Sequence, residues 1–345
     1  MSHTGRHFSF ELPPALRGLL PTLLLLACVL LLSLAVGAWA RPAGGLQLAR
    51  PVRLQAPRGR MASLAWPRLY VDSDGAATTL AHPPQRLASQ ALALEELLYD
   101  FTGDPCRIVA VSRYAYSRDY SNVFAQAERC KPAVSSDPEQ IVRLSPGLLL
   151  VSSTARADYT SLVRSAGIDA VRMKTRYESL DEIAGEIRQA GYLTGEDASA
   201  AQAELRFQRE IAAAEALPRR AGHPRILGIS GTYVYGRRTL MDDIIVRLGG
   251  VNVAATAGVE DVHEASGESI VGWNPEWIIA GSAPGGEDDL LRRMLANPAI
   301  AATAAARNGH IVILPDNIFS TNSPYSAGLM TRMAELLSAG QEGSR

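Results

Sequence analysis

An internal repeat constrains the fold of this chain more than any other feature of its sequence. The segment PEQIVRLSPGLLLVSS at residues 138–153 returns 129 positions later as GESIVGWNPEWIIAGS at residues 267–282. Each copy has a carboxylate that suits the first turn of a helix, then a proline, then an apolar run typical of a buried strand. A chain that carries this helix–strand unit twice is expected to form two similar lobes.

Strands and helices alternate around both copies of the repeat. The apolar runs RIVAVS (residues 107–112) and RILGIS (residues 225–230) predict equivalent strands, and strands separated by helical stretches predict parallel sheets covered by helices. Residues 197–217 contain no Gly or Pro, so they predict one helix of about 30 Å between the two halves. The predicted fold class is α/β: two Rossmann-like lobes, each a mostly parallel sheet flanked by helices, joined by one long α-helix.

The sequence divides into five regions on this basis. In chain order they are an export segment or membrane anchor (1–40), a linker (41–67), the N-terminal lobe (68–178), a helical segment that includes the interlobe helix (179–218) and the C-terminal lobe (219–340).

The first forty residues predict export. Residues 19–40 form an apolar run that follows Arg6 and Arg17 and ends in Ala-Trp-Ala, a pattern that suits signal peptidase. Cleavage after Ala40 is the first interpretation. An uncleaved anchor is the second, because a predominantly apolar run of 22 residues is long enough to span a bilayer, and lipidation at Cys28 is the third. All three place the rest of the chain in the periplasm or otherwise outside the cytoplasm.

Composition and motifs argue against several classes of function. The 34 Lys and Arg residues balance 35 Asp and Glu residues, which leaves no basic field for nucleic acid. The sequence has no Walker loop, G-x-S-x-G or G-x-G-x-x-G motif, so an enzyme is not expected. The histidines after the export segment have no metal-ligand spacing, so neither a metal site nor a cofactor is expected. They are His82, His223, His263 and His310.

Two cysteines, Cys106 and Cys130, remain after the export segment. In an oxidising compartment they can form a disulfide that closes a loop of about 25 residues. The alternative is a pair of free, buried thiols.

Tyrosines cluster in the two segments that follow the equivalent strands. Ligands of open α/β sheets bind beyond the carboxyl ends of the strands, and tyrosine offers an apolar ring with a polar tip. Each tyrosine alone is equally compatible with an ordinary surface position, but two matched clusters favour a ligand site. The candidates are Tyr114, Tyr116, Tyr120, Tyr233 and Tyr235, with Arg237 and Arg238 as cationic partners for carboxylate or phosphate groups.

The two copies of the repeat also match in one acidic residue, Glu139 in the first and Glu268 in the second. A favourable helix dipole explains either glutamate by itself. It does not explain why both lobes place a carboxylate at the same point of the repeat. Two matched carboxylates are suited to dock on two cationic sites of a symmetric partner.

Nine segments of the chain, taken in order, form a series that covers about residues 69–338. They are VDSDGAATTLAHPPQRLAS, EELLYDFTG, IVAVS, DPEQIVRLSPGLLLVSS, LVRSAGIDAV, LDEIAGEIRQAGYLTG, RILGISGTYVYGRRTLMDDIIVRLGGVNVAA, GESIVGWNPEWIIAGS and AARNGHIVILPDN. The series resembles the substrate-binding proteins of ABC importers for iron-siderophores, haem and vitamin B12.

The resemblance implies a ligand held in a cleft between two lobes that a single rigid helix connects. It implies that Glu139 and Glu268 meet arginines of a membrane permease. It also implies ligand contacts from the loops that follow the strands. These are Tyr114, Tyr116, Tyr120, Tyr233, Tyr235, Asn317 and Phe319.

The predicted function is an extracytoplasmic solute-binding protein that delivers a metal chelate to an ABC permease. An iron-siderophore or cobalamin is favoured slightly over haem, and a monomer with little hinge closure is expected. The first alternative is a membrane-tethered sensor or scaffold with the same fold and no transport role. The second is an enzyme on a related two-lobed fold, which would need a reactive His or Cys constellation.

Overall fold

The computed structural model describes residues 64–218 and 222–339 of the 345-residue chain. The predicted export segment and most of the predicted linker lie outside these residues. None of the described helices combines the length and the apolar character that crossing a membrane requires.

A parallel sheet forms the first lobe, and a hairpin of β1 (Arg68–Val71) and β2 (Ala77–Leu80) precedes it. The strands of this sheet within residues 64–218 are β3 (Leu87–Ser89), β4 (Ile108–Val111), β5 (Ala133–Val134), β6 (Leu148–Ser152) and β7 (Ala170–Met173), in the spatial order β5-β4-β3-β6-β7. The helices between them are α1 (Leu92–Phe101), α2 (Phe124–Cys130), α3 (Pro138–Leu144) and α4 (Ala157–Ser165). All strand pairs in this sheet are parallel, as the alternation of strands and helices predicted.

Two helices connect this lobe to the second. α5 (Leu180–Thr194) begins after Ser179, whose hydroxyl accepts the backbone N–H of Glu182 at 3.3 Å. Gly195 ends it with a left-handed φ of 80°, a conformation that favours glycine. α6 (Asp197–Ala216) follows and is the long helix that the sequence predicted between the halves.

A mixed sheet forms the second lobe. Its strands within residues 222–339 are β8 (Arg225–Ser230), β9 (Tyr233–Tyr235), β10 (Val251–Asn252), β11 (Val262–Glu264), β12 (Trp277–Ser282) and β13 (Ile311–Pro315). The spatial order is β11-β9-β8-β12-β13, with β10 paired to β8. The helices are α7 (Leu240–Arg247), α8 (Val253–Thr256), α9 (Gly267–Trp273), α10 (Glu287–Ala296), α11 (Pro298–Ala301), α12 (Ala304–Arg307), α13 (Asp316–Phe319) and α14 (Ser326–Ala339).

The tyrosine segment after β8 is a strand, whereas the sequence predicted a loop. Ser230 pairs with Tyr233, so Gly231 and the next residue form a two-residue hairpin turn. A left-handed φ of 60° at Gly231 makes this turn possible, and β11 pairs with the other edge of β9. The two tyrosines of β9 therefore share one face, and Val234 is buried on the other.

The internal repeat forms equivalent elements in the two lobes. α3 ends at Ser145 and α9 at Asn274, both with a left-handed φ (45° and 40°) and both donating a backbone N–H to two helix carbonyls. Buried and exposed positions follow the same order over the ten residues that start at Ile141 and at Ile270. The repeat is thus a duplicated packing unit: a short helix followed by a central strand.

Buried apolar side chains form three clusters within the described residues. The largest includes side chains of both sheets and of the helices between them, such as Leu148, Phe207 and Ile279. A smaller cluster lies on the other face of each sheet, around Ile141 in the first lobe and Ile270 in the second. The two lobes therefore share one apolar core through α5, α6 and α14.

A disulfide joins Cys106, just before β4, to Cys130 at the end of α2, with Cα atoms 5.0 Å apart. It encloses β4, the first tyrosine cluster and α2. In the chain-entropy model a loop of this length contributes about 3 kcal/mol to stability.

Candidate functional site

A cleft lies where the carboxyl ends of the strands of the two lobes meet. It contains two cavities, of about 380 and 410 Å³, and each is lined by residues from both lobes. Ser320, Thr321 and Asn322, in the loop between α13 and α14, line both cavities. These two cavities and the loop that joins them form the cleft.

The wall from the first lobe carries two exposed tyrosines, Tyr114 and Tyr120, which are 47% and 43% exposed. Tyr114 lies in a 3₁₀ turn directly after β4. The guanidinium of Arg113 stacks 5.1 Å from the centroid of the Tyr114 ring and donates to its hydroxyl at 3.2 Å. This wall offers aromatic surface beside a positive charge.

Tyr235 and Phe319 carry the aromatic surface of the opposite wall. Their rings meet edge to face, with centroids 5.6 Å apart and planes at 85°. Phe319 is buried because residues 316–319, predicted as a loop, form the short helix α13. The Tyr235 hydroxyl makes no hydrogen bond to another described residue, and burial, with a contribution from Asp316, raises its pKa.

The remaining sequence-predicted contacts lie away from the cleft cavities. Tyr116 donates its hydroxyl to the carbonyl of Pro132 at 2.7 Å. Arg237 donates to the carbonyl of Ala255 at 3.2 Å, which directs its guanidinium away from the cleft. Tyr233 lies on the exposed side of the hairpin and lines neither cavity. Tyr116 and Arg237 therefore have other local partners, Tyr233 is exposed, and none of the three lines the cleft cavities with the other candidates.

Asn317 was predicted as a ligand contact, but its side chain contacts the first lobe instead. Its side chain bonds to Asn122 of the first lobe at 3.0 Å and lines neither cavity. It connects the two lobes beside the cleft.

Two arginines line the cleft: Arg238, which the sequence predicted as a cationic partner, and Arg176, which it did not. Arg238 lies at a left-handed φ of 60° and pairs with Asp261 at 3.2 Å. Arg176 follows β7, is exposed, and makes no ion pair with another described residue. The left-handed backbone at Arg238 and the hydrogen bond of Arg237 to Ala255 separate these two neighbours, and the position after a predicted strand was the signal available for Arg176.

Two buried glutamates at the start of α1 were also missed. Glu95 accepts the backbone N–H and the hydroxyl of Ser112 at 2.5 and 2.9 Å, and burial raises its pKa to about 8. Glu96 lines the cleft, is 1% exposed, and burial raises its pKa as well. In the sequence both lie in an apolar helical stretch, with no signal that separates them from surface residues.

The paired glutamates of the repeat are both exposed, in the first turns of α3 and α9. Glu139 has a cation nearby, because a guanidinium nitrogen of Arg143 lies 3.8 Å from its carboxylate. Glu268 makes no ion pair with another described residue. Gly272 takes the place of Arg143 in the second copy.

No group of three His, Cys, Asp or Glu side chains in residues 64–218 and 222–339 is arranged to hold a metal ion. The cleft is lined by aromatic rings, hydroxyl groups and two guanidinium groups, together with the carboxyl groups of Glu96, Glu178, Asp261 and Asp316.

A comparison of the sequence with models of protein families finds one matching family. The family model described as "Periplasmic binding protein" matches residues 88–318. A comparison with curated proteins finds no match.

Solved structures of similar fold cover most of this chain. A periplasmic heme-binding protein, RhuT from Roseiflexus sp. RS-1, is 24% identical with a TM-score of 0.62, covering 75% of this chain and 99% of its own. The heme binding protein HmuT is 23% identical with a TM-score of 0.64, covering 80% and 92%. A protein of an ABC-type Fe3+-hydroxamate transport system from Saccharomonospora viridis DSM 43017 is 19% identical with a TM-score of 0.63, covering 79% and 99%.

Proposed function

The chain belongs to the periplasmic binding protein family, and from this membership we propose that it captures an anionic iron chelate in the cleft and delivers it to an ABC permease. The family consists of binding proteins, not enzymes. An exported location fits both the family and the sequence-based prediction for residues 1–40.

The choice of ligand class rests on one observation: both walls of the cleft combine aromatic rings with arginine. Tyr114 lies beside Arg113 on one wall, and Tyr235 shares its cavity with Arg176 and Arg238. Aromatic rings suit the flat or apolar body of a chelate, and guanidinium groups suit carboxylates in fork geometry. Arg176 has no ion-pair partner among the described residues, so its charge is available to an anion.

The guanidinium groups of Arg176 and Arg238 favour haem, which carries two carboxylates, over cobalamin, whose side chains are mostly neutral amides. The ligand preference reverses the order that the sequence favoured. Similar folds include heme-binding proteins and a Fe3+-hydroxamate system, which supports iron chelates as the class. The Tyr235 hydroxyl makes no hydrogen bond to another described residue, and we propose it as the side-chain oxygen that reaches the iron atom.

The test is a binding titration of the purified protein with haemin, ferrioxamine B and cyanocobalamin. Ligand absorbance is the proper signal, because Trp277 lies at the amino end of β12, stacked 4.1 Å from His310, and away from the cleft. Saturable haemin binding at micromolar or lower concentration, weakened by Arg176→Ala, supports the proposal. Binding of none of the three, or of cyanocobalamin alone, contradicts it.

The proposed delivery step uses the exposed carboxylates of α3 and α9. Two matched helices, each with a glutamate in its first turn, present the same charge twice to one partner. A permease built from two equivalent subunits offers two equivalent cationic sites, which fits this duplication. We therefore propose that Glu139 and Glu268 dock on arginines of the permease.

A further inference from the structure

A network of hydrogen bonds joins the two lobes at the floor of the cleft. Asn122, in the loop after β4, donates its amide to the carbonyl of Asn317 at 2.7 Å. Asn317, in α13, donates its own amide back to the side-chain oxygen of Asn122 at 3.0 Å. The two asparagines are thus bonded reciprocally across the lobe boundary.

Glu96 connects this pair to a second cross-lobe contact. One carboxylate oxygen accepts both the backbone N–H and the side-chain amide of Asn122, each at 2.9 Å. The other oxygen accepts the hydroxyl of Thr321, from the second lobe, at 3.0 Å. Thr321 also bonds to the hydroxyl of Ser323 at 2.8 Å.

Every polar group of the Asn122 side chain is engaged in this arrangement. Glu96 makes no ion pair with another described residue, so hydrogen bonds alone compensate its buried polar atoms. Leaving a buried donor or acceptor unpaired costs more than a hydrogen bond contributes on average, and networks of this kind lose stability as a unit. The two lobes therefore cannot shift relative to each other at this point without leaving several polar groups unpaired.

We propose that Glu96, Asn122, Asn317 and Thr321 form an interlobe clasp that sets the spacing between the two walls of the cleft. The covalent connection between the lobes runs through α5 and α6, whereas the clasp joins the helices and loops that carry the cleft residues. Tyr120 is two residues before Asn122, and Thr321 itself lines both cavities. The clasp residues are positioning residues, because they hold the walls that touch the ligand.

Amide hydrogen exchange tests the clasp without any ligand. Asn122→Ala in the first lobe should raise exchange in residues 316–323 of the second lobe about tenfold. Asn317→Ala should raise exchange in residues 117–124 of the first lobe by a similar factor. The double variant should show little more exchange in either segment than the single variants do. Asn322→Ala is the matched control, because Asn322 bonds only within its own loop, to the carbonyl of Ser320 at 3.3 Å. Exchange changes confined to the mutated lobe would overturn the proposal.

Two further variants separate positioning from a general loss of folding. Thr321→Val keeps the shape of the side chain and removes one cross-lobe donor, so it should raise exchange in residues 92–96 with thermal unfolding nearly unchanged. Glu96→Gln keeps a carbonyl for Asn122 and gives the Thr321 hydroxyl a donor in place of an acceptor, so it should restore what Glu96→Ala loses. Equal exchange in Glu96→Gln and Glu96→Ala would contradict the assignment.

A second test of the clasp measures ligand binding. It rests on the proposed function and uses haemin as the probe. Asn122→Ala and Asn317→Ala should each weaken haemin binding about tenfold, with the double variant close to either single one. If the wild type binds no haemin while exchange is still coupled across the lobes, the proposed function fails and the clasp stands. If haemin binds and the two variants act independently in both measurements, the clasp fails and the proposed function stands.

Discussion

Glu95 is a carboxyl group that the first lobe buries completely, beside the ends of β3 and β4. Burial, opposed in part by the bonds from Ser112, raises its pKa from the ordinary 4.5 to about 8. Between these two values the folded protein holds a proton that the unfolded chain has released. The free energy of unfolding should therefore fall as the pH rises from about 4.5 to about 8, on the order of a few kcal/mol.

Urea unfolding at several pH values across this window measures the effect. Glu95→Gln cannot ionise and keeps an acceptor for the backbone N–H of Ser112, so its stability should depend less on pH than that of the wild type. Glu128→Gln, at an exposed position of α2, is the control and should keep the wild-type slope. If the free energy of unfolding changed with pH in the same way for the wild type and for Glu95→Gln, burial would not perturb the pKa of Glu95.

Tyr235 and Tyr116 differ in whether the hydroxyl has a partner. The Tyr235 hydroxyl is free of hydrogen bonds within the described residues, whereas Tyr116 bonds to a carbonyl. If the Tyr235 oxygen reaches the iron, the metal must displace a proton that burial holds more tightly than usual. Tyr235→Phe should then weaken haemin binding about tenfold, ~1.4 kcal/mol, and change the haemin absorbance spectrum.

Tyr116→Phe is the matched control for this measurement. Because its hydroxyl points to Pro132 and away from the cleft, haemin affinity and spectrum should stay at the wild-type values. Similar losses for the two variants would mean that the hydroxyl of Tyr235 has no special part in binding.

At the scale of elements, the duplicated helices α3 and α9 share a backbone but not an electrostatic setting. Arg143 lies within 3.8 Å of Glu139 and 3.7 Å of Asp137, and no cation within residues 64–218 and 222–339 forms an equivalent ion pair with Glu268. An arginine of the permease would compete with Arg143 for Glu139 but not for Glu268. We therefore expect Glu268→Lys to reduce ligand delivery more than Glu139→Lys, by roughly threefold to tenfold.

Uptake of haemin by cells that carry the permease, compared with haemin affinity of the same purified variants, separates docking from binding. Affinity should stay unchanged in both variants, and Arg143→Ala should narrow the difference between them. Glu128→Lys, outside the repeat, is the control for a change of surface charge. If the double variant Glu139→Lys, Glu268→Lys delivered haemin normally, the docking proposal would be wrong.

The repeat was the most predictable element because local packing determines it. A carboxylate, a proline and an apolar run fix a short helix and a buried strand wherever they occur, and both copies adopt this structure. The hairpin of β8 and β9 is local, but the other edge of β9 pairs with β11, which is distant in sequence, and the sequence predicted a loop here. Which of two neighbouring arginines faces the cleft depends on that pairing as well.

The contacts at the floor of the cleft could not be predicted from the sequence, for a related reason. Glu96 has the pattern of a surface residue in an amphipathic helix, yet Asn122 and Thr321 approach it from two different lobes. Only the relative placement of the lobes creates that environment. The two matched tyrosine clusters included Tyr114, Tyr120 and Tyr235, which line the cleft, whereas the contacts between lobes required the three-dimensional structure.

At the scale of the whole molecule, the lobes are connected by more than one kind of interaction. The largest apolar cluster contains side chains of both sheets and of α5, α6 and α14. Arg247 of α7 adds ion pairs to Asp181 of α5 at 2.9 Å and to Glu215 of α6 at 3.3 Å. The linking helices are thus packed against the second lobe and share their core with the first, which opposes a hinge motion.

Ligand binding should therefore change the overall dimensions very little. A helix bonded along its whole length resists bending, and moving the lobes would expose apolar side chains of the shared cluster. We expect the radius of gyration from small-angle X-ray scattering to change by less than about 1 Å when haemin saturates the protein. Arg247→Met removes the ion pairs of the linking helices and should permit a larger change. A decrease of several ångströms in the wild type would instead indicate closure about a hinge, and the shared core would then have to part on ligand binding.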